Sequence, residues 1–215
     1  MSNLLDNFKK ICVMDTTLPS GKSVKIQRLN IDFQRNLVNA FDQENTPTVL
    51  ALKYIQFINN YLLTIFPEIQ YVDKLFILNK WIAEFANTKE DNTKDFANIS
   101  FDKEVNLNIN NNNIKIHLYE PNVTTENLLI DFLLQKETSD DIDLSFFDNF
   151  RFIKSITLND SIHESANITI DELYELYLLF DLTSLQELSD NINSTLNNIS
   201  SIRTIEADFS FFIDL

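Results

Sequence analysis

The chain of 215 residues contains one glycine, Gly21, and this scarcity restricts where the backbone can reverse tightly. Gly21 lies in Thr17-Leu18-Pro19-Ser20-Gly21-Lys22-Ser23-Val24-Lys25-Ile26, with an apolar run from Phe8 to Met14 before it and from Val24 to Leu29 after it. Pro19 fixes its own φ, and Gly21 supplies a positive φ at no steric cost. The stretch therefore predicts strand, turn and strand, with Pro19 and Gly21 as the structural turn. Any other tight reversal falls to Asn, which tolerates the left-handed region better than most residues.

A second hairpin is predicted from Val105–Ile109 and Ile114–Tyr119 around the four asparagines 110–113. Most of the remaining chain reads as helix. Phe33, Leu37 and Phe41 form an apolar stripe behind a cap at Asn30 or Asp32. Thr46-Pro47 starts a helix that stops at Pro67, with Thr as cap and Pro in the first turn. A third helix, about 69–86, carries Val72, Leu75, Phe76, Ile82 and Phe85, and Trp81 within that stripe reads as core. Asn87 to Asp102 is polar and reads as a loop. Beyond Pro121 the chain reads as almost wholly helical, over 125–136, across 142–158, and in two further helices. Thr169-Ile170-Asp171-Glu172 opens one of these as a capping box, followed by Leu173, Tyr174, Tyr177 and Leu178. Ser184-Leu185-Gln186-Glu187 reads as a second capping box. The fold class expected is α+β, predominantly helical, with two short β-hairpins and about six to seven helices.

Charge divides the chain unevenly. Residues 1–122 carry 13 Lys and Arg against 14 Asp and Glu, whereas residues 123–215 carry 4 against 18, a net of −14. We read 1–122 as a scaffold of hairpins and helices and 123–215 as an acidic helical region, with one compact unit as the alternative. Such a surface repels nucleic acid and anionic lipid and attracts a basic protein face; its other reading is a solvated helical surface kept soluble by acid. In the last helix Leu185, Leu188, Ile192, Leu196 and Ile199 make a narrow apolar seam flanked by Asn and Ser. A seam of this width suits one partner helix, either of another protein or the preceding 170–180 helix. The tail residues Phe209, Phe211 and Phe212 suit docking in a groove. These eight residues are the candidate partner-binding set.

Chemistry-bearing patterns are sparse. Gly21-Lys22-Ser23 ends like a phosphate loop, but the first glycine of that motif is Thr16 here, and the flanks are strand on both sides. One cysteine, Cys12, excludes an internal disulfide. With His117 and His163 far apart in sequence, it completes no zinc set of the usual spacing. Ser161, His163 and Glu164 are neighbours in sequence, whereas a catalytic triad is gathered from separated elements around an oxyanion hole. No catalytic, cofactor-binding or metal-binding residue is assigned, and no enzyme activity or cofactor is expected. Lys9 and Lys10 precede no apolar run, and no window is long and apolar enough to span a membrane.

The opening hairpin resembles that of the T4-type bacteriophage baseplate hub assembly family, in Leu18-Pro19-Ser20-Gly21-Lys22-Ser23-Val24-Lys25 and the helix after it. Asp73 to Phe85 is similar to that family's aspartate-led helix, Ile114 to Pro121 to its strand ending in Tyr-x-Pro, and Thr169 to Asn193 to its closing acidic helices. The chain departs from the family at Gln27-Arg28-Leu29, where only the Arg of an Arg-Pro-Phe sequence is kept. It also lacks, over 87–102, the paired cysteines of some members, so no metal site is carried over. The resemblance implies a non-enzyme of tail morphogenesis, structural or chaperone-like, that binds other tail and baseplate proteins. It implies placement in the host cytoplasm during assembly or in the virion baseplate. Neither nucleic acid nor membrane is an expected partner, and a homo-oligomer is compatible with it. The alternative reading is a cellular acidic helical adaptor.

Overall fold

A computed structural model of the chain describes residues 13–28, 30–39, 46–85, 96, 99–109, 112–136 and 143–196. Its elements are β1 (Val13–Thr17), β2 (Ser23–Gln27), α1 (Ile31–Asn39), α2 (Pro47–Ile65), α3 (Tyr71–Phe85), β3 (Lys103–Ile109) and β4 (Asn112–Leu118). They continue with α4 (Val123–Lys136), α5 (Leu144–Phe150), β5 (Ile153–Leu158), β6 (Ser161–Glu164), α6 (Ile170–Leu178) and α7 (Leu182–Leu196). The class is α+β, with a two-stranded sheet β1-β2 and a four-stranded antiparallel sheet in the order β3-β4-β5-β6.

The first hairpin forms around the glycine. Gly21 has φ +82°, its amide donates to the Leu18 carbonyl (2.8 Å), and the Leu18 amide donates to the Lys22 carbonyl (2.8 Å). The strands reach closer to the turn than the apolar runs suggest, pairing Thr17 with Ser23 and Val13 with Gln27, and the predicted 8–12 portion lies outside the described residues. Gly21-Lys22-Ser23 thus belongs to a strand–turn–strand unit. Lys22 sits over the Phe66 ring (4.2 Å) and 3.4 Å from the Glu68 carboxylate.

Helix starts follow side-chain chemistry closely. The first amides of a helix lack intrahelical partners, so an oxygen just ahead of them stabilises the start. Asn30 accepts from the Phe33 amide (2.8 Å), Thr46 from Val49 (3.4 Å), Asn122 from Thr125 (2.8 Å) and Asp143 from Ser145 (2.8 Å). The Thr169–Glu172 capping box is complete, with the Thr169 amide donating to the Glu172 carboxylate (2.9 Å). The second box is corrected. Asp181 accepts from the Ser184 amide (2.7 Å) and caps α7, so Ser184 lies a turn inside the helix, buried, with its hydroxyl toward the Asn108 carbonyl (3.4 Å).

The largest correction concerns 142–158. Only Leu144–Phe150 is helical; β5 follows, turns at Asn159 (φ 50°) and Asp160 (φ 62°), and returns as β6. Among the described residues there are therefore three β-hairpins. β5 pairs with β4, Ile156 opposite Ile116, which joins the part before residue 122 to the part after it. Predicted loop 87–102 lies mostly outside the described residues, although Phe96 and Phe101 are buried. The Asn110–Asn111 turn also lies outside them, while Asn112 and Asn113 belong to β4.

One apolar core runs from Leu18 and Ile26 through α2, α3 and the four-stranded sheet to Leu188 and Ile192. Trp81 is in it, its indole N–H donating to the Gln27 carbonyl (3.1 Å). The N-termini of α3 and α4 are tied together. The Tyr71 amide donates to Pro121 (2.9 Å) and the Val123 amide to Ile69 (3.1 Å). Packing is thus continuous across residue 122.

Candidate partner-binding surface

The predicted seam on α7 is not a free face. Leu188 is 0% and Ile192 3% exposed, and Leu185 and Leu196 are half-buried against the same core. The helix packs chiefly on β3 and α5, so the seam's apolar width is used within this chain, with the sheet's edge and α5 as its main neighbours. The Lys103 ammonium at the start of β3 donates to the Asn191 carbonyl (2.9 Å) and the Ser194 hydroxyl (3.1 Å), fixing the docking. Leu185, Leu188, Ile192 and Leu196 are therefore withdrawn as an exposed docking stripe. Ile199, Phe209, Phe211 and Phe212 lie outside the described residues.

Among the described residues, three of the exposed large apolar side chains fall close together in sequence, at the corner between α6 and α7. Leu178 is 58%, Leu179 67% and Leu182 85% exposed. The cause lies in their neighbours. Tyr177 turns inward against Phe146 (5.5 Å) and Phe150 (5.6 Å), and Phe180 packs on Phe150 (5.6 Å). The Leu179 amide donates to the Leu176 carbonyl (3.0 Å) and the Phe180 amide to Tyr177 (3.1 Å), so the chain turns immediately after α6. With Tyr177 and Phe180 occupying the inner positions, the intervening leucines face out. Large apolar side chains grouped on a surface mark interaction sites more often than isolated ones do.

Asp143 anchors this corner from below. Its carboxylate accepts from the Tyr177 hydroxyl and the Ser145 amide (2.8 Å). Burial acts to raise the Asp143 carboxyl, but the hydrogen bonds from Tyr177 and Ser145 outweigh it and hold the group below its usual range. Tyr177, partly buried and donating to an anion, is pushed up. From Thr169 to Leu196 the sequence has Asp171, Glu172, Glu175, Asp181, Glu187 and Asp190, and no Lys, Arg or His. The segment that carries the exposed leucines thus has six acids and no base of its own, with Lys103 of β3 meeting the far end of α7.

The sequence signal for this corner is the run Leu178-Leu179-Phe180-Asp181-Leu182, more apolar than one helical face can bury. Of the apolar residues that follow the Thr169 capping box, Leu173 and Tyr177 are buried and Leu178 is not.

The other concentration of charge is interior. Glu126 in α4 is fully buried; its carboxylate accepts from Lys74 (2.6 Å), Arg151 (2.8 Å) and the Asn59 amide (3.2 Å). Burial acts to raise the Glu126 carboxyl, and the adjoining Lys74 and Arg151 more than compensate, holding it below the usual carboxylate range. Arg151 is sandwiched by the rings of Tyr71 (4.8 Å), Phe147 (4.5 Å) and Phe152 (5.0 Å). Glu126, Lys74 and Arg151 are all buried, and Arg151 also lies 3.7 Å from Asp148 at the surface, so the cluster ties core to surface and is architectural.

Ser161, His163 and Glu164 all lie on exposed β6, where alternate residues point to opposite faces, so Ser161 and His163 share a face and Glu164 does not. His117, on inner strand β4, contacts Asp102 (2.6 Å). Among the described residues no group of three or more His, Cys, Asp or Glu is placed to hold a metal ion, and no helix is long and apolar enough to cross a membrane. No family model, curated protein or solved structure matches the chain.

Proposed function

We propose that the chain is a non-catalytic component of bacteriophage tail assembly, of the T4-type baseplate hub, acting by binding other tail proteins, either as a chaperone in the host cytoplasm or as a part of the finished baseplate. The observation that carries the binding role is the exposed leucine corner of α6 and α7 within an acidic surface. An apolar anchor with a charged surround gives a partner both contact area and long-range steering. The tail connection rests on the resemblance of the Leu18–Lys25 hairpin and the later stretches in the same order. The rigid core, with its charges neutralised internally, suits a part that presents a surface.

The test is genetic and visual. Deleting the gene from the phage and imaging lysates by electron microscopy is expected to give particles with incomplete baseplates or no tails. Complete, contractile tails in the deletion lysate would overturn the reading. Mass spectrometry of purified wild-type particles then separates a retained component from a chaperone that leaves.

A further inference from the structure

We infer that the occupant of the leucine corner is a basic segment of a partner protein, with Lys or Arg flanking an apolar stripe that seats on Leu178, Leu179 and Leu182. The inference rests on the binding role proposed above and adds the chemistry of the partner. Charge decides among the occupants. A second copy would bring the same Asp181, Glu187 and Asp190 against themselves, and like charges juxtaposed at an interface cost several kcal/mol. The chain's own end, Phe209 to Leu215, contains Asp214 and no base, with Asp208 just ahead of it. Nucleic acid and anionic lipid are polyanions. A cationic partner gains from the acids of 169–196, whereas a basic segment of this chain itself, such as that around Lys9 and Lys10, would show as a lowered melt of Leu182→Ser.

The geometry adds a division of labour. Leu182 begins the exposed side of α7, and Thr183, Gln186, Glu187, Asp190 and Asn191 continue along it. Gln186 donates to Asp190 (2.8 Å), which orients that carboxylate on the helix surface. A segment lying on the leucines and running along α7 would therefore place its bases opposite Glu187 and Asp190. The leucines set the residence time and the carboxylates the rate of arrival.

The experiment uses the full chain and a dye-labelled synthetic helix of Leu and Lys, with leucines at i, i+3, i+4 and i+7, read by fluorescence anisotropy and stopped flow. Saturable binding is expected. The pair Leu179→Ser/Leu182→Ser should weaken it at least about tenfold through the off-rate, and Glu187→Lys/Asp190→Lys should slow the on-rate several-fold. Raising salt from about 0.05 to 0.5 M should remove most of the on-rate advantage. Ile162→Ser on β6, an exposed apolar position elsewhere, should change nothing. In solution, any of four results would overturn the inference: no binding, equal binding of a Leu and Glu helix, binding indifferent to the leucine substitutions, or a dimer in sedimentation that Leu182→Ser dissolves. In the phage, corner variants that fully restore tails to a deletion strain would sink this inference while leaving the assembly role intact. A deletion strain with normal tails would sink the assembly role instead.

Discussion

The cluster around Glu126 and the corner around Leu182 both set charge beside apolar surface, and they use it in opposite ways. In the interior one carboxylate meets two cations and an amide, and three aromatic rings close over Arg151. At the corner six carboxylates lie within 169–196 with no cation in that stretch, and three leucines stay in water. An ion taken out of water costs several kcal/mol unless its partners stay with it, so interior charge is bound to the fold. An ion left in water costs little, so corner charge is available for recognition. Net charge of the acidic half alone conceals this difference.

The comparison is tested hardest at Glu126. Glu126→Gln leaves Lys74 and Arg151 buried without their anion, and the expected loss is about 3–5 kcal/mol in urea unfolding. Replacing Lys74 as well, with Met, should recover part of it by removing one of the stranded cations. Because the folded Glu126 carboxyl titrates below its ordinary value of 4.5, its contribution is present above that pH and is lost as pH falls through the lower folded value. Wild-type stability should therefore drop on acidification below about pH 4.5, and the Gln variant should show a shallower drop. A Glu126→Gln protein as stable as wild type would break the distinction between interior and corner.

Leu188 sharpens it within a single helix. Leu188→Ala removes a side chain with no exposure on the face of α7 that meets β3 and α5, and a cost of about 3 kcal/mol is expected. A melting temperature unchanged by this substitution would restore the seam as an exposed docking stripe.

Gly21 gives a third, smaller effect that involves no contact. A Cβ there would meet nothing within 4 Å, so the cost of Gly21→Val is that of holding a β-branched residue at φ +82°. About 1–3 kcal/mol is expected by thermal or denaturant unfolding. Equal stability would mean that the hairpin is indifferent to its only glycine.

That position also shows what the sequence made legible. A glycine after a proline, the Thr46-Pro47 start, the Thr169 capping box and Trp81 in an apolar stripe are local chemistry, and each lies where its chemistry puts it. The β5–β6 hairpin was hidden because Phe146, Phe150 and Ile153 continue a helical spacing across the break. Its reversal uses Asn159 and Asp160 in the left-handed region, the conformation Gly usually supplies. The β-branched pair Ile156-Thr157 ahead of an Asn-Asp dipeptide was the available signal. Asp181 displaced Ser184 as cap because it stands one turn earlier with an equally good acceptor. The Glu126 cluster had no local signal, since Lys74 and Arg151 lie 52 and 25 residues away. The outward leucines were obscured because periodicity does not say which of two adjacent aromatic-rich turns takes the inner side.

The smallest expected effect bears most directly on function. Leu182 is the most exposed of the corner leucines, at 85%, and its side chain gives up almost no water contact in the free protein. Leu182→Ser should change unfolding free energy by less than about 0.5 kcal/mol, as substitution of an exposed side chain outside the core does when the Asp181 cap beside it is kept. The same substitution in the protein bound to a basic apolar segment exposes the partner's stripe to water, so affinity should fall while the melt does not. Leu188→Ala, six residues along the same helix, should do the reverse, lowering the melt and sparing the affinity of the fraction that remains folded. Measuring both variants for both properties gives a crossed pattern if the two faces of α7 divide folding from recognition. A Leu182→Ser protein that melts several degrees lower would show that the corner is covered by this chain itself, and the division would fail there.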